Sequence, residues 1–133
     1  MRKTFTLLSV ILLSLLIVQC NTGDRELNKK LTQMAAELNE SAPVSLDQYT
    51  RFEEATVTND NVFRYRYSVM NINNPDSLLE NRVEALMKNI KTMFSTNADL
   101  RIFTENDVVI EYIYTDEQNN IIRTIKINPE DYQ

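Results

Sequence analysis

The chain has 133 residues and a formal net charge of −5 at pH 7, the size of one domain. It holds no histidine, one glycine and one cysteine, which excludes Ser-His-Asp and Cys-His catalysis, most zinc sites and any glycine-rich phosphate loop. The acid excess disfavours nucleic acid and anionic lipid headgroups as partners, and no cofactor is expected.

Met1-Arg2-Lys3 is a short basic start, and Phe5 to Val18 is apolar apart from Thr6, Ser9 and Ser14. That run is shorter than the ~20 residues a membrane-spanning helix needs. Its length and its basic flank are those of a secretory signal peptide, assigned to residues 1–19. The only cysteine, Cys20, stands where the apolar run gives way to the polar Asn21-Thr22-Gly23-Asp24. One cysteine cannot close an internal disulfide.

Leu16-Ile17-Val18-Gln19-Cys20 resembles the lipobox of bacterial lipoproteins. The resemblance implies cleavage before Cys20 and acylation of that cysteine, with chains such as palmitate. Two or three acyl chains hold a soluble domain firmly on a membrane where one does so only marginally. Gln19 departs from the Gly, Ala or Ser usual at that place. Cleavage after Cys20 by an ordinary signal peptidase, with Val18 and Cys20 as the small residues, is the alternative and would release a soluble protein. Asn21 lacks the aspartate that retains some lipoproteins at the inner membrane, so the outer membrane is favoured over the inner.

Residues 20–24 read as a lipidated tether, and residues 25–133 as a single domain. Asp24 is placed to cap a helix. Leu27, Leu31, Met34, Ala35 and Leu38 follow at helical spacing, and Pro43 ends the segment. Arg51 to Val57 reads as a strand, and Thr58-Asn59-Asp60-Asn61 as a turn. Val62 to Met70 alternates strictly, with Phe63, Tyr65, Tyr67 and Val69 on one face and Arg64, Arg66 and Ser68 on the other. Asn74-Pro75 starts a second helix. Its stripe is Leu79, Val83, Leu86, Met87, Ile90, Met93 and Phe94, and a further helical turn falls within Asn97 to Thr104. Val108 to Thr115 and Ile121 to Asn128 read as strands around a turn at Asp116–Asn120. The expected fold is α+β in the order α-β-β-α-β-β. Its two hairpins join into a four-stranded antiparallel sheet, with the two main helices on one face.

The closing strands, Tyr112-Ile113-Tyr114-Thr115-Asp116 and Ile125-Lys126-Ile127-Asn128-Pro129-Glu130-Asp131, are similar to the ending of a family of small uncharacterised bacterial exported proteins. Leu38-Asn39-Glu40-Ser41-Ala42-Pro43 and Tyr65-Arg66-Tyr67 fit the earlier part of the same pattern. Many members of that family carry a cysteine after the P-x-D, with a partner near the second helix. Tyr132 stands there instead, so packing has to replace the implied disulfide. The resemblance bears on the fold and brings no activity with it.

Carboxylates are the remaining chemical groups. Glu53 and Glu54, as neighbours on a strand, are expected to face opposite sides. Asn59-Asp60-Asn61 and Asp116–Asn120 faintly resemble calcium loops but lack the glycine and terminal glutamate of the EF-hand. Tyr65, Tyr67, Tyr112 and Tyr114 fit either an aromatic binding platform or, preferably, core packing. A carboxylate-only hydrolase would need two acids in a concave pocket, one of them desolvated. The reading is therefore non-enzymatic, with no metal site. The expected protein is a small envelope lipoprotein tethered to the membrane through Cys20, binding or scaffolding an envelope partner. The alternative is a soluble periplasmic or secreted partner-binding protein: an inhibitor, a pilotin or a chaperone-like protein.

Overall fold

The computed structural model describes residues 22–133, so Cys20 and the signal segment lie outside the described residues. Helix α1 covers residues 22–39 and buries Leu31 and Ala35, with Leu27, Met34 and Leu38 partly covered. The apolar stripe is the one expected. The helix already includes Thr22, Gly23 and Asp24, so Asp24 lies within it rather than at its cap.

Five strands follow in one sheet: β1 (Val44–Ser45), β2 (Thr50–Val57), β3 (Phe63–Val69), β4 (Ile110–Thr115) and β5 (Ile121–Ile127). They lie side by side in sequence order. Two corrections to the expected four-stranded antiparallel sheet result. The two-residue β1 adds an edge to β2, pairing Val44 with Phe52 and Ser45 with Arg51. It is too short to show any alternation in sequence. The two hairpins are also joined parallel, β3 against β4, with Phe63 opposite Ile110, Tyr65 opposite Tyr112 and Tyr67 opposite Tyr114.

The connection explains the direction. Between β3 and β4 runs α2 (Pro75–Thr96), a helix of 22 residues, about 33 Å long at 1.5 Å per residue. A seven-residue strand covers only about 23 Å. The helix therefore returns the chain to the end where β3 began, and β4 must set out in the same direction. A single turn of 3₁₀-helix, Ala98–Leu100, and a short helix, α3 (Arg101–Glu105), complete the crossover.

The helices cover one face of the sheet. Leu79, Ile90 and Phe94 of α2 and Phe103 of α3 pack with Phe52, Ala55, Phe63, Val69, Ile110, Ile125 and Ile127 from the strands. Phe103 is fully buried and meets Phe63 edge-on at 5.2 Å. Pro129 ends β5 and opens a last short helix, α4 (Pro129–Tyr132). Asp131 closes back on it by accepting from the Asn128 amide at 2.8 Å.

Tyr132 locks the C-terminus. Its ring stacks on Phe94 at 4.6 Å. Its hydroxyl donates to the carbonyls of Val108 at 2.8 Å and Phe103 at 3.2 Å. The contact joins the residue after the P-x-D to the end of the second helix. It thus lies where the family resemblance implied a disulfide.

Candidate functional site

The sheet face away from the helices is polar and open. Arg64 and Glu111, directly opposite across β3 and β4, form an ion pair at 2.7 Å. Arg66 and Glu54, opposite across β2 and β3, pair at 3.0 Å, and Arg51 pairs with Glu53 at 2.7 Å. Ser68, also on this face, donates to Glu53 at 2.5 Å. Glu53 and Glu54 therefore lie on the same face, contrary to the expectation from alternation. The register of β2 slips between Phe52 and Glu54. A bulge of this kind inserts one residue and resets which side the chain points to.

The turn between β4 and β5 folds over this face and makes a cleft of about 500 Å³, lined by Arg51, Glu53, Arg66, Ser68, Met70, Asp116, Glu117 and Asn119. Local side-chain bonds build the turn. Asp116 accepts from the Gln118 and Asn120 amides and from the Asn120 side chain, at 2.8–2.9 Å. Asn119 takes a left-handed φ of 66°, which asparagine tolerates better than most residues. Its side-chain oxygen lies 3.4 Å from an Arg66 nitrogen. Glu117 accepts from the Asn71 amide at 3.1 Å and so ties the two loops at this end together.

The electrostatics of the cleft favour fixed charge over proton transfer. Burial pushes the Glu53 carboxyl up, but the hydrogen bonds from Ser68 and Arg51 and the charges of Arg51 and Arg66 outweigh it. Its pKa falls below the ordinary value. The bonds from Asn120 likewise hold Asp116 low. A glycosidase-type acid needs a carboxyl raised by its surroundings, and these two are lowered. The Ser68 hydroxyl donates to a carboxylate oxygen that also accepts from Arg51, so the two bonds fix the Glu53 side chain in place. The cleft offers guanidinium donors beside carboxylate acceptors, suited to polar recognition.

The four tyrosines fall on the helix side. Because β3 and β4 run in step, Tyr65 stacks on Tyr112 at 5.2 Å and Tyr67 on Tyr114 at 5.3 Å. Tyr67 also lies 6.3 Å from Tyr112, which makes the stack continuous. Burial raises all four phenols, Tyr112 to about 12. The packing reading holds for these rings. Near them Arg82 of α2 reaches Asp47, in the loop between β1 and β2, at 2.5 Å. That bond holds the Asp47 carboxyl below its ordinary value. Nothing in the sequence pointed to this link, whose partners are 35 positions apart.

The turn at residues 58–61 is held by an asparagine. Asn61, at φ 61°, accepts from the Asn28 side chain at 2.9 Å and donates to the Asp24 carbonyl at 3.3 Å. The turn at residues 58–61 is thereby pinned to the start of α1. Among the described residues no cluster of three or more acids or cysteines is placed to hold a metal ion.

Residues 26–123 match the family described as Domain of unknown function (DUF8479). The chain belongs to this family. The family's description names no activity, and no curated protein matches the DUF8479 chain. Solved structures share its fold. A protein of Pseudomonas aeruginosa named as a "putative secreted protein" (PA3611) is similar with a TM-score of 0.66 and 17% identity, covering 81% of this chain and 94% of its own. The Vibrio vulnificus type 2 secretion system pilotin EpsS is similar with a TM-score of 0.61 and 12% identity, covering 85% and 97%. The Vibrio cholerae type II secretion system pilotin AspS gives 0.58 and 12%, covering 84% and 97%. At these identities the likeness establishes the fold.

Proposed function

We propose that this DUF8479 chain is a non-catalytic, partner-binding protein of the bacterial cell envelope, cleaved before Cys20 and held on a membrane, the outer one by preference, by lipid on that cysteine. The observation that carries the reading is the fold match along nearly the whole length of two pilotins and a secreted-type protein. It agrees with the lipobox-like Leu16–Cys20 stretch and the signal-type residues 1–19. The charged cleft at Arg51, Glu53 and Arg66 supports recognition of a polar partner segment, with acceptors and donors fixed in place. A pilotin-like role, serving another envelope protein, is the finer form of this reading.

The test is metabolic labelling with a fatty-acid analogue in the wild type and in Cys20→Ala. Label on the wild type alone supports the anchor, and equal labelling of both removes it. An unlipidated chain beginning at Asn21, seen by intact mass, would favour the soluble alternative. A crosslinked pull-down from the native envelope addresses the partner, and capture unaffected by charge reversal at Arg51 and Arg66 would dissociate the cleft from that role.

A further inference from the structure

A lipoprotein domain on a long flexible tether can turn freely over its membrane. In this chain only Asn21 separates Cys20 from Thr22, and Thr22, Gly23 and Asp24 are already helical in α1. Two residues reach at most about 7 Å. We infer that lipid on Cys20 fixes the orientation of the domain, seating one particular end against the headgroups and turning the charged cleft away from them. The inference rests on the lipidation reading above.

The seated end is defined by contacts. The Asp24 carbonyl accepts from Asn61, and Asn28 donates to the Thr58 carbonyl at 2.9 Å, so the β2–β3 turn stands beside the start of α1. On its other side Gly23 and Glu26 share a shallow cavity of about 390 Å³ with Ile102, Glu105 and Asn106. Asp24, Glu26, Asp60, Glu105 and Asp107 are exposed around this end, beside Arg25, Lys29 and Lys30, and Arg101 pairs with Glu105 at 3.4 Å. This nearly balanced rim offers no basic patch to draw anionic lipid. The surface it fits is therefore a zwitterionic one. The β4–β5 turn and the cleft beneath it lie at the far ends of the central strands, about 23 Å away for seven residues. Gly23 is the weakest helical position between anchor and body, and nothing lies within 4 Å of where its Cβ would be.

The absence of any other cysteine makes the test direct. Asp60→Cys and Gln118→Cys each add one free thiol, at exposed turns of opposite ends, while Cys20 is blocked by lipid. The dye-labelled lipidated protein is placed in phosphatidylcholine vesicles carrying a headgroup acceptor. Energy transfer at position 60 should exceed that at position 118 by at least about twofold, given their ~23 Å offset. Gly23→Ala should keep the difference, and a ten-residue Gly-Ser insertion before Thr22 should erase it. Equal transfer at the two positions in the uninserted protein, with intact mass confirming lipid, overturns the fixed orientation alone. A mass without lipid overturns the lipoprotein reading and the orientation with it.

Discussion

Asn39 gives the sharpest test of how this sheet is held. The edge strand β1 covers only Phe52 and Arg51 of β2. Further along, at Ala55, none of the described residues forms a strand outside β2, and Ala55 is 2% exposed. Buried backbone groups need partners. The Asn39 carboxamide supplies both, donating to the Ala55 carbonyl at 2.8 Å and accepting from its amide at 2.7 Å. One side chain thus imitates the peptide of a missing strand and also fixes α1 to the sheet. Asn39→Ala removes both bonds and strands a donor and an acceptor. At about 1 kcal/mol net per bond, the cost is about 2 kcal/mol. For a domain of about 100 residues this lowers Tm by about 8–16 °C, and a total stability of about 5–15 kcal/mol leaves the variant folded. Urea titration followed by far-ultraviolet circular dichroism, on a chain lacking residues 1–19 and carrying Cys20→Ala, measures it. A loss below about 0.5 kcal/mol at unchanged m-value would show that water or a shifted β1 serves Ala55 equally well, and the strand-mimic argument would fail. Asn39→Asp keeps the acceptor but sets a carboxylate against the Ala55 carbonyl, so it should be no better than alanine at pH 7.

Three further outcomes are expected. Tyr132→Phe keeps the stack on Phe94 and loses the bonds to Val108 and Phe103, costing about 1–2 kcal/mol in urea melts; a change within error would mean that stacking alone secures the C-terminus. Burial holds the phenols of Tyr65, Tyr67, Tyr112 and Tyr114 above the ordinary value of about 10. Their contribution is complete below that pH and is lost as pH rises towards the folded values, because the unfolded chain then holds fewer protons. Absorbance at 295 nm should therefore rise together with loss of circular dichroism at alkaline pH, and smooth ionisation in a folded protein would contradict it. Glu53 has its pKa lowered by Ser68 and Arg51 against the opposing effect of burial. Its contribution is present above the unfolded pKa and is lost as pH falls through the folded one. Glu53→Gln should trail the wild type at pH 7 and converge with it in acid, and a gap independent of pH would count against the ion pair.

Local pattern carried much of the architecture, and long-range pairing did not. The alternation of Phe63, Tyr65, Tyr67 and Val69 against Arg64, Arg66 and Ser68 corresponds to the two faces of β3 as built. The stripes of α1 and α2 mark the faces that bury Leu31, Leu79, Ile90 and Phe94. The turn asparagines Asn61 and Asn119 adopt the positive φ that their chemistry tolerates. The direction of β3 against β4 leaves no trace within either strand, since the same alternation suits both directions. Its signal lay in the length of α2, which exceeds that of a strand. The Phe52–Glu54 bulge was equally silent. It interrupts a regular pattern at Glu53, and only the cross-strand register shows that both acids face Ser68 and Arg66. The cleft depends on that bulge and on the folded-over turn, so neither its position nor its residues could be read in advance.

The parallel junction also gives the molecule its polarity. Had β4 run against β3, its turn into β5 would have fallen at the same end as the β2–β3 turn. Running with β3, it carries Asp116–Asn120 to the opposite end, beside Ser68 and Met70, where the turn can roof Arg51, Glu53 and Arg66. The Thr58–Asn61 turn is left at the end where α1 starts, bound to it through Asn28. One crossover helix therefore sets the start of α1 and the charged cleft at opposite ends of the sheet. A group bound at the cleft would then meet the domain at the end away from the start of α1, which a two-hairpin antiparallel sheet of the same elements could not arrange.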